Sequence, residues 1–313
     1  MKNKKILIVG AGYMAEEYIK VLKYLKINFD LISRGKKNIN RVSKKYNLNF
    51  YYGNFNKIKK NAYSEAIICV NEESISKCIK KVANLGIQSI LVEKPGAKNF
   101  NDLKKIYQFV KLKKINLFIA FNRRFYESIL EIKKIINKDN GIVSATFSFT
   151  EWLDKIKKLN KKKFILENWF FMNSLHVVDL VFNLIGNPKK LYSISNRRHP
   201  PFRNSIFLGA GISKKNIPFT YHSNWLSAGR WSINLFTSRR KIILSPIEEI
   251  KFIKKNTTKI VIHKFNKKFD HKFKPGLMKM VMSFLGNKKN LQKIENYLEK
   301  MIVYQKISKF NFK

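Results

Sequence analysis

The sequence predicts an α/β protein in two parts. The first is a doubly wound parallel sheet, and the second is an α+β domain with a large, mostly antiparallel sheet. Three observations support this. Short aliphatic runs, apolar on both faces as central parallel strands are, recur up to Phe121. Segments with apolar residues three and four apart separate them, as crossover helices should. Beyond Arg124 strand-like runs follow one another with few helices between, which is the α+β pattern.

The predicted strands of the first part are Lys5 to Val9, Phe29 to Ser33, Ala66 to Val70, Ser89 to Glu93 and Leu117 to Phe121, and the predicted helices are Met14 to Lys26, Ser74 to Leu85 and Asn101 to Leu112. In the second part, Phe125 to Asn137 reads as a helix and Ile142 to Trp152 as a long strand. Ser174 to Leu184 reads as a helix stopped by Gly186 and Pro188. Six strand-like runs follow between Leu191 and His263, and two helices, near Gly276 to Leu285 and Lys288 to Ser308, close the chain. One boundary divides the chain into residues 1–121 and 122–313.

Lys+Arg 64 against Asp+Glu 20 leaves a net charge of +44 over 313 residues. That excess first suggests a nucleic-acid or anionic-membrane partner. The lysines are nevertheless spread in pairs and triplets, such as Lys36-Lys37, Lys161 to Lys163 and Lys288-Lys289, alongside heavy use of other residues with A- and T-rich codons. A solvated lysine shell is the expectation, with no specific nucleic-acid partner. No apolar stretch reaches the roughly 18 residues of a membrane span, so no membrane association is expected. Cys69 and Cys78 read as core thiols of a reducing compartment, which points to the cytoplasm.

Gly10-Ala11-Gly12-Tyr13-Met14-Ala15 follows the first predicted strand and opens a helix, the setting of a dinucleotide fingerprint. The first glycine allows the tight turn and the second lets backbone N–H groups approach a pyrophosphate. The small Ala15 permits helix packing. The end of the second strand holds Ser33-Arg34 in place of an acidic residue, so a 2′-phosphate is accommodated and NADP is favoured over NAD. Asp30 stands too early in the strand for the ribose. Glu93-Lys94-Pro95 ends another strand, where ligand crevices form, and a lysine there can exchange protons near neutral pH if its pKa is lowered. His176 and Asp179 share a helix face, so the histidine could act as acid or base while Asp179 fixes its tautomer. No third metal-ligand type accompanies them at ligand spacing, and no metal is expected.

Taken together, Gly10-Ala11-Gly12, Glu93-Lys94-Pro95, Asn122-Arg123-Arg124-Phe125 and His176-Val177-Val178-Asp179 resemble the Gfo/Idh/MocA oxidoreductase family, named for glucose-fructose oxidoreductase and inositol dehydrogenase. The resemblance implies an N-terminal Rossmann domain and a C-terminal α+β domain for substrate binding and homo-oligomerisation. It implies hydride transfer between NAD(P) and a sugar, nucleotide sugar or related polyol. Lys94 and His176 would be catalytic. Gly10, Gly12, Tyr13, Met14, Ser33, Arg34, Asn71, Glu93, Lys94 and Arg123 would contact the cofactor, while Asn122, Trp169, Asn173 and Asp179, with Arg123 nearby, would line the substrate side. The chain departs from many family members at Met172, four residues before the histidine, where they carry an aspartate. Two alternatives remain open: a cofactor-assisted glycoside-bond enzyme, and a non-catalytic NAD(P)-binding sensor.

Overall fold

A computed structural model describes residues 5–312. The chain forms two compact units: residues up to Asn122 together with Phe269–Glu299, and Arg123–Lys268 together with the residues from Lys300 onward.

In the first unit, β1 (Lys5–Val9), α1 (Tyr13–Tyr24), β2 (Asn28–Ser33), α2 (Lys36–Tyr46), β3 (Phe50–Tyr52), β4 (Glu65–Ile68), α3 (Glu72–Asn84), β5 (Ser89–Glu93), α4 (Phe100–Leu112) and β6 (Asn116–Ala120) alternate along the chain. The parallel strands lie in the order β6-β5-β4-β1-β2-β3, the doubly wound arrangement whose crevice opens at the carboxyl ends of the strands. Ile8 of β1 is level with Leu31 of β2 and Ile67 of β4, and all three are fully buried. Burying each such side chain contributes roughly 1.5–3 kcal/mol, which explains why these strands read as unbroken aliphatic runs.

The second unit contains α5 (Glu127–Lys138), β7 (Ser144–Ser148), α6 (Leu153–Lys157), α7 (Lys163–Glu167), a π-helical turn at Phe170–Ser174 and α8 (Leu175–Ile185). Strands β8 (Pro188–Asn196), β9 (Ile206–Ser213), β10 (Pro218–Asn224), β11 (Ser232–Phe236), β12 (Arg240–Leu244), β13 (Lys251–Lys254) and β14 (Ile260–Ile262) follow. Their sheet runs β14-β13-β12-β11-β7-β10-β9-β8, antiparallel except where β7 pairs with β10. Phe147 of β7 packs edge-on against Phe182 of α8 and beside Tyr221 of β10. Alternate residues of β10 are buried, so this sheet has one packed face and one open face. The open face shows Tyr192, Ile194, Leu208 and Ile212.

The expected division at residues 121 and 122 needs one correction: Phe269–Glu299 returns to the first unit. There α10 (Leu277–Leu285) packs on α1, and β15 (Gln292–Lys293) adds antiparallel to β6. Phe118 meets Phe284 edge-on, and Phe121 meets Tyr297. The remaining helices are α9 (Lys268–Lys272) and α11 (Ile294–Ser308). The long strand expected from Ile142 ends at Ser148, which leaves Thr150, Glu151 and Trp152 outside the ladder. Among the described residues no helix is long and apolar enough to cross a membrane.

Candidate functional site

A cavity of about 430 Å³ in the first unit opens at the carboxyl ends of β1, β2 and β4. It is lined by Gly10, Gly12, Ser33, Arg34 and Asn71, which brings together five of the residues proposed for the cofactor. Gly10 has φ +116°, and a Cβ there would lie 2.3 Å from the Cys69 carbonyl oxygen, so the turn requires glycine. Gly12 is different. It caps α1, and a Cβ on it would meet nothing within 4 Å. No side chain caps the helix start, so its first N–H groups and the positive end of its dipole are offered to an anion. A backbone cradle with open space over Gly12 fits the pyrophosphate of a dinucleotide.

At the far side of this cavity the Arg34 guanidinium donates from Nη2 to Ser74 Oγ at 2.8 Å, which holds it against the start of α3. Lys77 and Lys81 of α3 and Asn38 of α2 complete this side, with Glu73 as the acidic member. Sequence reading missed the two lysines, although their spacing of four on a helix with Glu73 was a usable signal. Asp30 is buried, paired with Lys5 at 2.8 Å and bonded by Tyr63, so it is committed inside the fold. Tyr13 and Met14 do not line the cavity; Tyr13 is largely exposed, with the Lys274 ammonium 5.2 Å from its ring centre.

Lys94 follows β5 in a turn closed by Gly96 N–H donating to Glu93 O at 3.1 Å, and the Lys94–Pro95 peptide is cis. Fully buried Tyr18 of α1 donates to Glu93 Oε1 at 2.7 Å. Burial, with the Glu93 charge beside it, pushes the Tyr18 hydroxyl well up, so it stays a donor. Glu93 therefore anchors the turn that presents Lys94. Asn122 donates from Nδ2 to the Pro275 carbonyl at 2.9 Å, which ties the end of the first segment to the returning one.

In the second unit, His176 stands in the first turn of α8 and is 6% exposed. Asp179, one turn on, is wholly buried. Arg124 donates to both its oxygens at 2.6 Å, and Tyr304 and Lys300 reach Oδ1 at 2.9 and 3.2 Å. Burial alone would raise its pKa, but Arg124 and Lys300 hold the carboxyl down at about 2. Asp179 is thus the counter-ion of two buried cations, and its full burial removes it from the substrate surface expected for it. Arg124, the neighbour of the residue singled out in the sequence, was the missed partner.

Asn173 belongs to the π-helical turn and donates from Nδ2 to Glu151 Oε1 at 2.9 Å. Trp169 and Met172 are buried, and the Trp169 indole nitrogen has no hydrogen-bond partner among the described residues. Glu151, also missed in the sequence, is 1% exposed, and burial pushes its carboxyl up from the ordinary range. Arg123 lies over Trp231 within this second unit, 4.6 Å from the ring centre. Among the described residues no cluster of three His, Cys, Asp or Glu could hold a metal ion.

Solved structures share this architecture over nearly their whole length. An oxidoreductase from Agrobacterium radiobacter, solved with NAD+, L-tartaric acid and magnesium, has a TM-score of 0.78 at 14% identity, covering 99% of this chain and 95% of its own. A protein described as an NADPH-dependent oxidoreductase from Desulfitobacterium hafniense has a TM-score of 0.80 at 16% identity, with 99% and 96% covered. The UDP-N-acetylglucosamine 3-dehydrogenase GnnA from Acidithiobacillus ferrooxidans has a TM-score of 0.75 at 8% identity, with 98% and 97% covered. At these identities the likeness is one of fold. No curated protein matches the chain by sequence. The sequence model described as "Oxidoreductase family, NAD-binding Rossmann fold" matches residues 4–121. The glycine cradle and the doubly wound strand order fall within that match, so residues 4–121 match the NAD-binding Rossmann domain of the Gfo/Idh/MocA oxidoreductase family.

Proposed function

We propose that the chain is an NAD(P)-dependent oxidoreductase acting on a sugar, nucleotide sugar or related polyol, with NADP as the preferred cofactor. The open cradle over Gly12, at an uncapped helix start within a family-matched domain, is the observation that carries this reading. The cofactor, when bound, supplies a hydride acceptor or donor. The protein's part is to bind and orient it, and to move the proton that accompanies hydride transfer.

Backbone N–H groups at the start of α1 would hold the pyrophosphate, while Ser33 and Arg34 would take the 2′-phosphate, with Lys77 and Lys81 adding positive potential. Lys94 is proposed as the proton-handling group of the first unit and His176 as that of the second. Asn173 and Trp169 are proposed for the substrate side, as polar groups beside His176 in sequence. The GnnA likeness supports the nucleotide-sugar version of this reading. The open sheet face at Tyr192, Ile194, Leu208 and Ile212 is the proposed surface between copies of the chain.

Titration with NADPH and NADH, followed by nicotinamide fluorescence, tests the cofactor assignment. Absorbance assays over a panel of sugars and nucleotide sugars then test turnover. Cofactor binding with net formation or consumption of reduced nicotinamide supports the proposal. Product release without net cofactor change would move the assignment to a glycoside-bond enzyme, and failure to bind either nucleotide would refute it.

A further inference from the structure

The second unit holds two arginines outside the acid–base assignment, arranged around one indole. The Arg230 guanidinium carbon lies 4.5 Å from the ring centre of Trp231 and 4.8 Å from that of Trp152. Its Nη1 donates to Glu151 Oε2 at 2.7 Å. That carboxylate is itself fixed, because Oε1 accepts from Ser174 Oγ at 2.7 Å, Asn173 Nδ2 at 2.9 Å and Trp231 Nε1 at 3.2 Å. Arg230 is therefore held by two rings and one carboxylate. A guanidinium carries five N–H donors in a planar fork, and the others form no hydrogen bond among the described residues, while the side chain is 38% exposed. A fork held this way loses little conformational freedom when it binds a planar anion.

Arg123 supplies the second, independent observation. Its guanidinium also lies over Trp231, its Nε is buried, and that nitrogen has no hydrogen-bond partner among the described residues. Among the described residues no salt bridge reaches it, and desolvation draws its pKa down despite the nearby charges of Glu248 and Glu151. A cation kept in such a place is costly unless an anion completes it. Lys155, 4.1 Å from the Trp152 ring centre, adds a third positive charge, against Glu151 and Asp154. A cavity of about 520 Å³, a size usual for small-molecule sites, shares Glu151, Trp152 and Lys155 with this cluster and is also lined by Trp225, while the two arginines lie outside its lining.

We propose that Arg230 and Arg123, brought together over Trp231 beside the turn that leads into α8, recognise the carboxylate or phosphate of an anion-bearing sugar. The anion takes the uncommitted donors of Arg230 and compensates the desolvated Arg123, and Glu151 acts as the positioning residue that aims the fork. The sugar part of this assignment rests on the oxidoreductase reading; the anion part rests on the two arginines.

The experiment uses the full chain without cofactor and follows intrinsic tryptophan fluorescence, for which Trp152 and Trp231 are reporters. It is titrated at low salt with glucuronate, UDP-glucose and the neutral methyl glucoside. At least one of the two anionic ligands should bind about tenfold or more tightly than methyl glucoside, the usual scale of a charge-assisted bidentate contact. A preference for glucuronate identifies a carboxylate, and one for UDP-glucose a phosphate. Arg230→Lys, which keeps the charge but not the fork, should lose about tenfold in that affinity, with melting temperature and NADPH binding unchanged. Arg230→Gln, at the same partly exposed position, should lose more. Equal affinity for the neutral sugar, no binding of either anion, or wild-type affinity in Arg230→Lys overturns the proposal. Failure of the oxidoreductase reading registers separately, as absence of nicotinamide nucleotide binding by the unmodified chain.

Discussion

Replacing Asp179 by asparagine keeps the side-chain volume and removes the charge on which two buried cations depend. Arg124 and Lys300 have side chains only 4% and 9% exposed, and Asp179 has none exposed. The substitution strands both cations in a desolvated place, and breaking such a buried pair costs about 3–5 kcal/mol. For a unit of this size, at about 2–4 °C per kcal/mol, the expected drop in melting temperature is about 6–20 °C. Scanning calorimetry at neutral pH measures it. Lys300→Met added to Asp179→Asn should recover part of the loss, because one stranded charge is gone.

The pH dependence supplies a second arm. The carboxyl of Asp179 is held at about 2, below its ordinary 3.8. For a depressed acid the stabilisation is fully present above the ordinary value and is lost as pH falls through the folded one. The gap between wild type and Asp179→Asn should therefore narrow as pH falls from about 4 toward 2. A variant that melts within about 2 °C of wild type at neutral pH would refute the counter-ion assignment.

Arg34→Ala should weaken NADP by about 1–3 kcal/mol and NAD much less, as measured by nucleotide titration; equal losses would remove Arg34 from the 2′-phosphate. Lys94→Ala should lower turnover by about 10²–10⁴-fold while sparing nucleotide affinity, and near-full activity on an identified substrate would end its acid–base role. If the open sheet face is the surface between copies proposed above, Ile194→Lys with Leu208→Lys should shift the chain toward monomer in sedimentation velocity without lowering its melting temperature. Unchanged association would refute that surface.

The strands of the first unit were legible because each is buried on both faces, so Ile6 to Val9 or Ile90 to Val92 had to be aliphatic without interruption. By contrast, α2 was hidden: in its run of lysines and asparagines only Ile39 and Val42 turn apolar side chains inward. Strand β13 is four residues long with lysine at both ends, too short for any period to emerge. The glycine turn, Arg34 and the Lys94 turn stood out as candidates because each is a contiguous motif at a strand end. Glu151 could not, since its partners Asn173, Ser174, Arg230 and Trp231 come from two distant stretches of chain. Asp179 shows the opposite failure. Its spacing from His176 suggested a joint task, whereas tertiary packing gave it Arg124, Lys300 and Tyr304.

The segment Phe269–Glu299 completes a unit begun more than a hundred residues earlier, and this bears on how the protein is made. On a ribosome working from the N-terminus, the first unit emerges with β6 as a bare sheet edge, since β15 does not yet exist. The rings of Phe118 and Phe121 then lack Phe284 and Tyr297. An unpaired parallel edge with exposed aromatic side chains invites association with other nascent chains. The unit can close only after nearly all of the second unit has been synthesised, so the two halves mature together rather than in sequence. A fragment ending at Asn122 would carry the same open edge permanently, and its solubility should be poorer than that of the whole chain.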